Sequence, residues 1–400
     1  VLIIKNGLIS EHFPWYELPG RKGCINSQKK SEIIKNVQYH LRKSVHRQML
    51  SDVPLGAFLS GGLDSSSIVA FAKEIDPNIQ CFTISISGLK EDFIDDLPYA
   101  KEVANYLKVP LEIINVEPDK ILTNIEQMVW QLDEPLADLA PLNLYYMTQL
   151  ARSKGIKVLL SGAGGDDIFT GYRRHYALRK EKLWNWLPYN IRDSLKSYSG
   201  KLNVDKPFLR RVRKVFSAAD LSSNERIVNY FRWMDRKDLE SLYSNDFRNS
   251  IKDAECKDEM LDYLYGLSPN ISIMDKMLLL EQKFFLVDHN LNYTDKMSMA
   301  SGVEVRVPFL DLDLIEYVST IPSELKQNGR QSKWILKKSM EGMLPKNIIY
   351  RSKTSFGVPL RHWLKFYLKE WLDDLLSKDN IVKRGLFDPV AVNKLITDNS

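Results

Sequence analysis

The apolar pattern divides the chain into four stretches. Ile33, Val37, Leu41, Val45 and Met49 recur every four residues, which predicts an amphipathic helix with Ser31 near its N-cap. From 55 to 160 the pattern changes. Short continuous apolar runs (Leu55–Leu59, Cys81–Ile86, Leu111–Val116, Ile156–Leu160) suit strands buried on both faces. Between them, helices are predicted from about 65 to 74, over Pro98–Leu107, from Pro118 toward Leu132, and over about 142–153 with Gly155 as the stop. This alternation predicts an α/β core at 30–175, a parallel doubly wound sheet with helices on both faces. Beyond about 175 the strand signals end. Residues 176–270, rich in Trp, Tyr, Arg, Lys and Asp at helical spacing, read as a helical insert. Residues 271–400 read as a mainly helical region interrupted by Pro308, Pro322, Pro345 and Pro359. Residues 1–29, with scattered Pro, Gly and aromatics, read as an irregular connector.

The strand ending at Leu59 runs into Ser60-Gly61-Gly62-Leu63-Asp64-Ser65-Ser66, and a helix follows. Two glycines let backbone amides approach a bound group, and the helix adds the positive end of its dipole. Ser60, Ser65 and Ser66 offer hydroxyl donors, and Asp64 can reach a metal that neutralises phosphate. The loop is suited to pyrophosphate. It is not a Walker A loop, which would need a Lys where this chain has none. A second loop, Ser161-Gly162-Ala163-Gly164-Gly165-Asp166-Asp167, follows the strand ending at Leu160. Asp64 and Asp166 would then share one sheet edge and one Mg²⁺. The plainer alternative is a helix N-terminus with two acids favouring its dipole.

Two later segments carry weaker signals. Glu304 and Arg306 precede Pro308, and their plain reading is an internal ion pair fixing a loop. Lys353, in Arg351-Ser352-Lys353-Thr354-Ser355-Phe356-Gly357-Val358-Pro359, can swing in as a point charge for phosphate, or simply face solvent. The six histidines show no metal-ligand spacing. They read as surface or packing residues, with His175 the exception because it follows the second loop.

Bulk properties narrow the partners. Net charge is only +5, from 56 basic and 51 acidic residues, too slight to argue for nucleic acid. No apolar run approaches the ~18 residues of a membrane span. Three scattered cysteines (Cys24, Cys81, Cys256) argue against a disulfide framework or a zinc site, so a reducing, cytoplasmic setting is expected. The chain opens Val-Leu-Ile-Ile-Lys without Met, so a fragment of a longer protein is expected.

Four motifs in this order resemble the asparagine synthetase family, the glutamine-dependent type. The match is to its C-terminal synthetase domain, which belongs with the N-type ATP pyrophosphatases and their adenine nucleotide alpha hydrolase-like fold. Besides the two loops, the resemblance rests on Val53–Leu59, on Asp166-Asp167-Ile168-Phe169-Thr170-Gly171-Tyr172, on Gly302–Asp311 and on Lys353–Pro359. It implies ATP and Mg²⁺ as cofactors. ATP phosphates would lie on Ser60, Gly61, Gly62, Leu63, Asp64, Ser65 and Ser66. Adenine would lie near Phe58, Ile84, Ser161 and Gly162. Asp64 and Asp166 would hold Mg²⁺, with Asp64 and Lys353 as the catalytic pair, Lys353 stabilising charge on the α-phosphate and pyrophosphate. The implied reaction adenylates a carboxylate, aspartate first, and ammonia then displaces AMP. The family also has an N-terminal glutaminase domain, expected in the full-length protein, with 1–29 as the linker from it. A homodimer is allowed for; nucleic acid and membrane are not expected as partners.

Two positions depart from the family. Ala163 stands where asparagine synthetases usually carry Glu, proposed to help the attacking amine lose its proton, and Ala can do no acid or base work. Lys296 stands where Arg is common. An amide ligase or cyclase acting on a sugar acid or peptide is therefore the second reading, and a catalytically degenerate ATP-binding module the third.

Overall fold

A computed structural model describes all residues except 21–25, 87–95, 117, 204–205, 254–256, 353–362, 364–366 and 400. The chain opens with an antiparallel hairpin, β1 (Leu2–Lys5) and β2 (Leu8–His12). This corrects the irregular-connector reading of the first residues. Its turn is Asn6-Gly7, both with positive φ (51° and 78°), the backbone that a two-residue hairpin turn needs. Helix α1 (Lys30–Gln48) follows. Its N-cap is Lys29, two residues before the expected Ser31, because the Glu32 carboxylate accepts from the Lys29 backbone N–H at 3.3 Å.

Five parallel strands form the central sheet: β3 (Leu55–Phe58), β4 (Gln80–Ile86), β5 (Leu111–Val116), β6 (Val158–Leu160) and β7 (Glu304–Arg306), in the order β5-β4-β3-β6-β7. The first four lie where the apolar runs placed them. The fifth is a short strand within the mainly helical region 271–400. Three residues of mixed polarity carry no strand periodicity. They become a strand because β6 offers a free edge, with Leu159 opposite Val305. The Glu304–Arg306 ion pair is present at 2.7 Å, on a strand rather than a loop. Arg306 also donates to the carbonyls of Gln48 and Leu50 at 2.8 and 2.6 Å, tying β7 to the end of α1.

The connecting helices are α2 (Leu63–Ala72), α3 (Leu97–Leu107), α4 (Pro118–Leu132) and α5 (Ala140–Ser153). They cover both faces. On one face the α1 stripe Ile33, Val37, Leu41 and Val45 joins Ile68, Phe71 and Val103, with Phe309, Leu314, Ile335 and Leu336 from the C-terminal region. On the other, Phe58 and Phe82 meet Leu132, Leu142, Tyr145 and Met297. A third cluster joins Leu178, Ile227 and Leu264 to Met277 and Leu280. Leu41 is fully buried in the first cluster. Leu41→Ala is expected to lower unfolding free energy by about 3 kcal/mol in a urea titration; a loss under about 1 kcal/mol would show that the α1 stripe is not core. Among the described residues no helix is long and apolar enough to cross a membrane.

Candidate active site

Strand order reverses between β3 and β6. Ligands of doubly wound sheets bind at such a point, beyond the carboxyl ends of the strands. The glycine loop leaves β3 there and the second loop leaves β6, side by side. Their contact is close: a Cβ on Gly162 would lie 2.7 Å from the Ser65 backbone nitrogen. One on Gly165 would lie 2.7 Å from the Asp64 carboxyl carbon. Only glycine lets the two loops meet.

The glycine loop is held by its own side chains. Ser65 Oγ accepts from the Ser60 backbone N–H at 3.2 Å, lies 3.1 Å from Ser60 Oγ and donates to the Gly62 carbonyl at 3.3 Å. Ser60 Oγ in turn accepts from the Gly62 N–H at 3.3 Å. These hydroxyls shape the loop from within. Ser66 is fully buried, within helix α2, which begins at Leu63. Gly61 has φ +69°, and a Cβ there would meet the Ala100 nitrogen at 2.5 Å, so the loop rests on the first turn of α3. Arg351 braces this contact. It pairs with Asp96, lies 3.7 Å above the Tyr99 ring and reaches the Gly61 carbonyl at 3.5 Å. Phe58 and Ile84 stand on the neighbouring strands β3 and β4, on one sheet face. Ser161 and Gly162 follow β6, where the Ser161 N–H donates to the Arg306 carbonyl at 2.8 Å. The four residues expected around adenine thus share one sheet edge.

Asp64 and Asp166 converge on a group that sequence reading missed. Lys333 Nζ pairs with Asp64 Oδ2 and, at 2.5 Å, with Asp166 Oδ1. The residue is buried and left-handed (φ 52°), at the N-cap of the helix Trp334–Ser339. Burial alone would push its pKa down; the two carboxylates outweigh burial and hold it above the ordinary lysine value. A Cβ on Gly171 would lie 2.5 Å from Lys333 Cε, so Gly171 makes room for the side chain. One turn along, Lys337 is pushed below the ordinary lysine value, first by burial and then by Lys333. No local signal marks Lys333; 269 residues separate it from Asp64.

The two carboxylates fit Mg²⁺. They are hard oxygen donors brought to one point from two loops. Among the described residues no third His, Cys, Asp or Glu completes an all-protein cage. Mg²⁺ is held by few carboxylates, with water and substrate phosphate filling its shell.

Behind the second loop lies a buried polar network. Helix α6 (Gly165–Ile168) carries Asp167, whose carboxylate accepts from the Tyr172 hydroxyl at 3.2 Å. Asn290 Nδ2 donates to that hydroxyl at 3.0 Å. His175 Nδ1 accepts from the Tyr172 N–H at 3.1 Å, and its Nε2 lies 3.0 Å from Glu281 Oε1. Arg174 grips Glu281 through two nitrogens and lies over the rings of Tyr172, Phe231 and Phe285 at 4.3, 4.7 and 4.2 Å. Glu281 opens a π-helical stretch, Glu281–Leu291, within a helix running from Ile273 to Ala300. Such stretches are rare and recur at functional sites. His175 is therefore a buried, bonded residue behind the site.

Lys296 pairs with Asp133. Ala163 sits in the second loop, its N–H donating to Ser161 Oγ at 3.2 Å. Lys353 lies outside the described residues; Arg351, two residues before it, reaches the glycine loop.

This geometry agrees with relatives found by sequence. The family pattern described as asparagine synthase matches residues 36–400. "Asparagine synthetase [glutamine-hydrolyzing] 1" of Bacillus subtilis (strain 168) is 30% identical over 347 residues, 87% of this chain and 53% of the relative. A "Putative asparagine synthetase [glutamine-hydrolyzing]" of Mycobacterium tuberculosis (strain ATCC 25618 / H37Rv) is 30% identical over 83% of this chain and 49% of its own. "Amidase chyE" of Penicillium rubens is 23% identical over 96% of this chain and 61% of its own. The chain spans about half the length of the curated synthetases it matches. Among solved structures, an NMN synthetase from Francisella tularensis overlaps 36% of this chain and 59% of its own at a TM-score of 0.25 and 16% identity, too distant to weigh. Two glycine loops meeting at the turn of a parallel sheet, on a sequence matched from residue 36 to its end, identify the chain as a member of the asparagine synthase family.

Proposed function

We propose that the chain catalyses ATP-dependent, AMP-forming amide synthesis, with aspartate the first acceptor to test and ammonia the nitrogen donor. The observation that carries this reading is the convergence of Asp64 and Asp166, from two adjacent loops, on one buried point beside a glycine loop. A carboxylate oxygen of the acceptor attacks the α-phosphorus of ATP and pyrophosphate leaves. Ammonia attacks the resulting acyl-adenylate, AMP leaves with its bonding electron pair, and the nitrogen sheds a proton. The glycine-loop amides and the start of α2 orient the phosphates. Asp64 and Asp166 would hold Mg²⁺, which when bound supplies countercharge to those phosphates. In this reading residues 30–175 form the nucleotide unit, 176–270 an insert, and 271–400 complete the site. A glutaminase unit supplying ammonia belongs to the same reading because the synthetase relatives are named glutamine-hydrolyzing.

Ala163 favours a second reading with the same chemistry and another acceptor, a sugar acid or peptide carboxylate. It cannot take the proton that the attacking nitrogen must lose. The amidase name of one relative is consistent with a family wider than asparagine formation.

The test is release of pyrophosphate and AMP from ATP and Mg²⁺ with ammonium and a panel of carboxylates led by aspartate. Aspartate-dependent AMP with asparagine formed supports the first reading. Another carboxylate moves the substrate and keeps the chemistry. ADP in place of AMP would overturn both. In the same assay Lys353→Ala is expected to fold normally and lose adenylation on the order of 10²-fold or more; wild-type turnover would remove Lys353 from the site.

A further inference from the structure

We propose that Lys333 makes divalent-cation binding depend on nucleotide: its ammonium holds the two carboxylates until phosphate arrives, so the site admits the metal only together with ATP. This rests on the reading of Asp64 and Asp166 as the metal-holding pair.

Lys333 Nζ touches one oxygen of each carboxylate, inside a site where its side chain is only 9% exposed. The chain therefore brings its own cation to the place where a divalent ion would be held. Among the described residues, two carboxylates and one ammonium leave a single negative charge there. A dication arriving alone would sit against the ammonium in a poorly hydrated site, and like charges at contact are disfavoured most strongly where water is scarce. The ammonium has little room to retreat. Gly171 walls its stem, since even a Cβ there would lie 2.5 Å from Cε, and the backbone at Lys333 is pinned in a left-handed cap. Phosphate changes this balance. Its oxygens would take up the ammonium and add the negative charge that a dication needs. The same side chain thus excludes a lone metal and welcomes a metal carried by phosphates.

The probe is Mn²⁺, read in equilibrium dialysis as the excess retained on the protein side over matched buffer with or without ATP, so that Mn²⁺ held by free ATP is not counted and the readout is independent of turnover. Wild-type protein is expected to hold Mn²⁺ with ATP and to bind it at least about tenfold more weakly without. Lys333→Met without nucleotide is expected to bind Mn²⁺ at least about tenfold tighter than wild type, and Lys333→Gln, which keeps a polar end, should move the same way. Wild type binding Mn²⁺ alone as tightly as with ATP would overturn the proposal, and that comparison needs no variant to fold. No gain in either folded variant would overturn it as well. Asp166→Asn, titrated with ATP present, tests the underlying reading separately. Undiminished Mn²⁺ binding there would remove the carboxylate pair from the metal site, whereas diminished binding with no gain at Lys333 would overturn only the gating role.

Discussion

Asp64→Asn is expected to reduce AMP and pyrophosphate formation on the order of 10³-fold, with the fold intact. The substitution removes one negative charge and almost no volume. It leaves Lys333 paired with Asp166, so the buried ammonium is not stranded and melting temperature should move little. The loss should fall on turnover. Adenylation builds charge on the α-phosphoryl group and the departing pyrophosphate, and catalysis of such a displacement consists mainly of positioning and countercharge. Asp64 stands on the first turn of α2, between the amides that would face the phosphates and the second loop that carries Asp166. A fall in kcat with KM for ATP little changed would mark an interaction made in the transition state. Activity within threefold of wild type would sink the assignment of Asp64.

Glu281→Ala carries the largest expected effect on stability, a loss of about 4 kcal/mol at neutral pH. Glu281 and His175 are fully buried, and Arg174 is partly buried. Removing the carboxylate takes the paired counterion from a guanidinium in a cage of three aromatic rings, leaving Asp167 as a weaker negative neighbour. Burial raises the Glu281 pKa, but hydrogen bonds from Arg174 and His175 outweigh it and hold the folded-state value below the usual 4.5. The sign follows. A depressed folded pKa means that the unfolded chain binds the proton more readily, so this contribution is complete above about 4.5 and fades as pH falls through the folded value. The stability gap between wild type and Glu281→Gln should therefore be constant toward neutrality and shrink in acid. A denaturant series over pH reads both the size and the slope. A loss below about 1 kcal/mol would show that Arg174 finds another partner. Because Tyr172 links this network to Asp167 in the second loop, Glu281→Gln should also lower turnover where the protein remains folded.

The parts of the site that could be read from the chain are those whose chemistry is local. Ser60–Ser66 announces itself because a backbone that must approach phosphate needs consecutive glycines at a strand end, and that need is met within seven residues. The Asn6-Gly7 turn was equally local, and could have been found by its dipeptide. Strand β7 had no such mark. Glu304-Val305-Arg306 is a strand only because the edge of β6 is there to pair with it. Lys333 is a stronger case. In sequence it is one lysine among several, between Ser332 and Trp334, and nothing in its surroundings names a carboxylate partner.

The sequence by itself determined the parallel α/β core, the two glycine loops and the pair Asp64 and Asp166, because burial period and glycine placement act over a turn or a strand. Tertiary structure alone decided what those carboxylates face. The ion pairs Lys333–Asp64, Arg351–Asp96 and Arg174–Glu281 join residues 269, 255 and 107 positions apart. Charge attraction has no sequence period. It is set by distance in space and by exclusion of water, and both arise only when the helices of the C-terminal region close over the edge of the sheet.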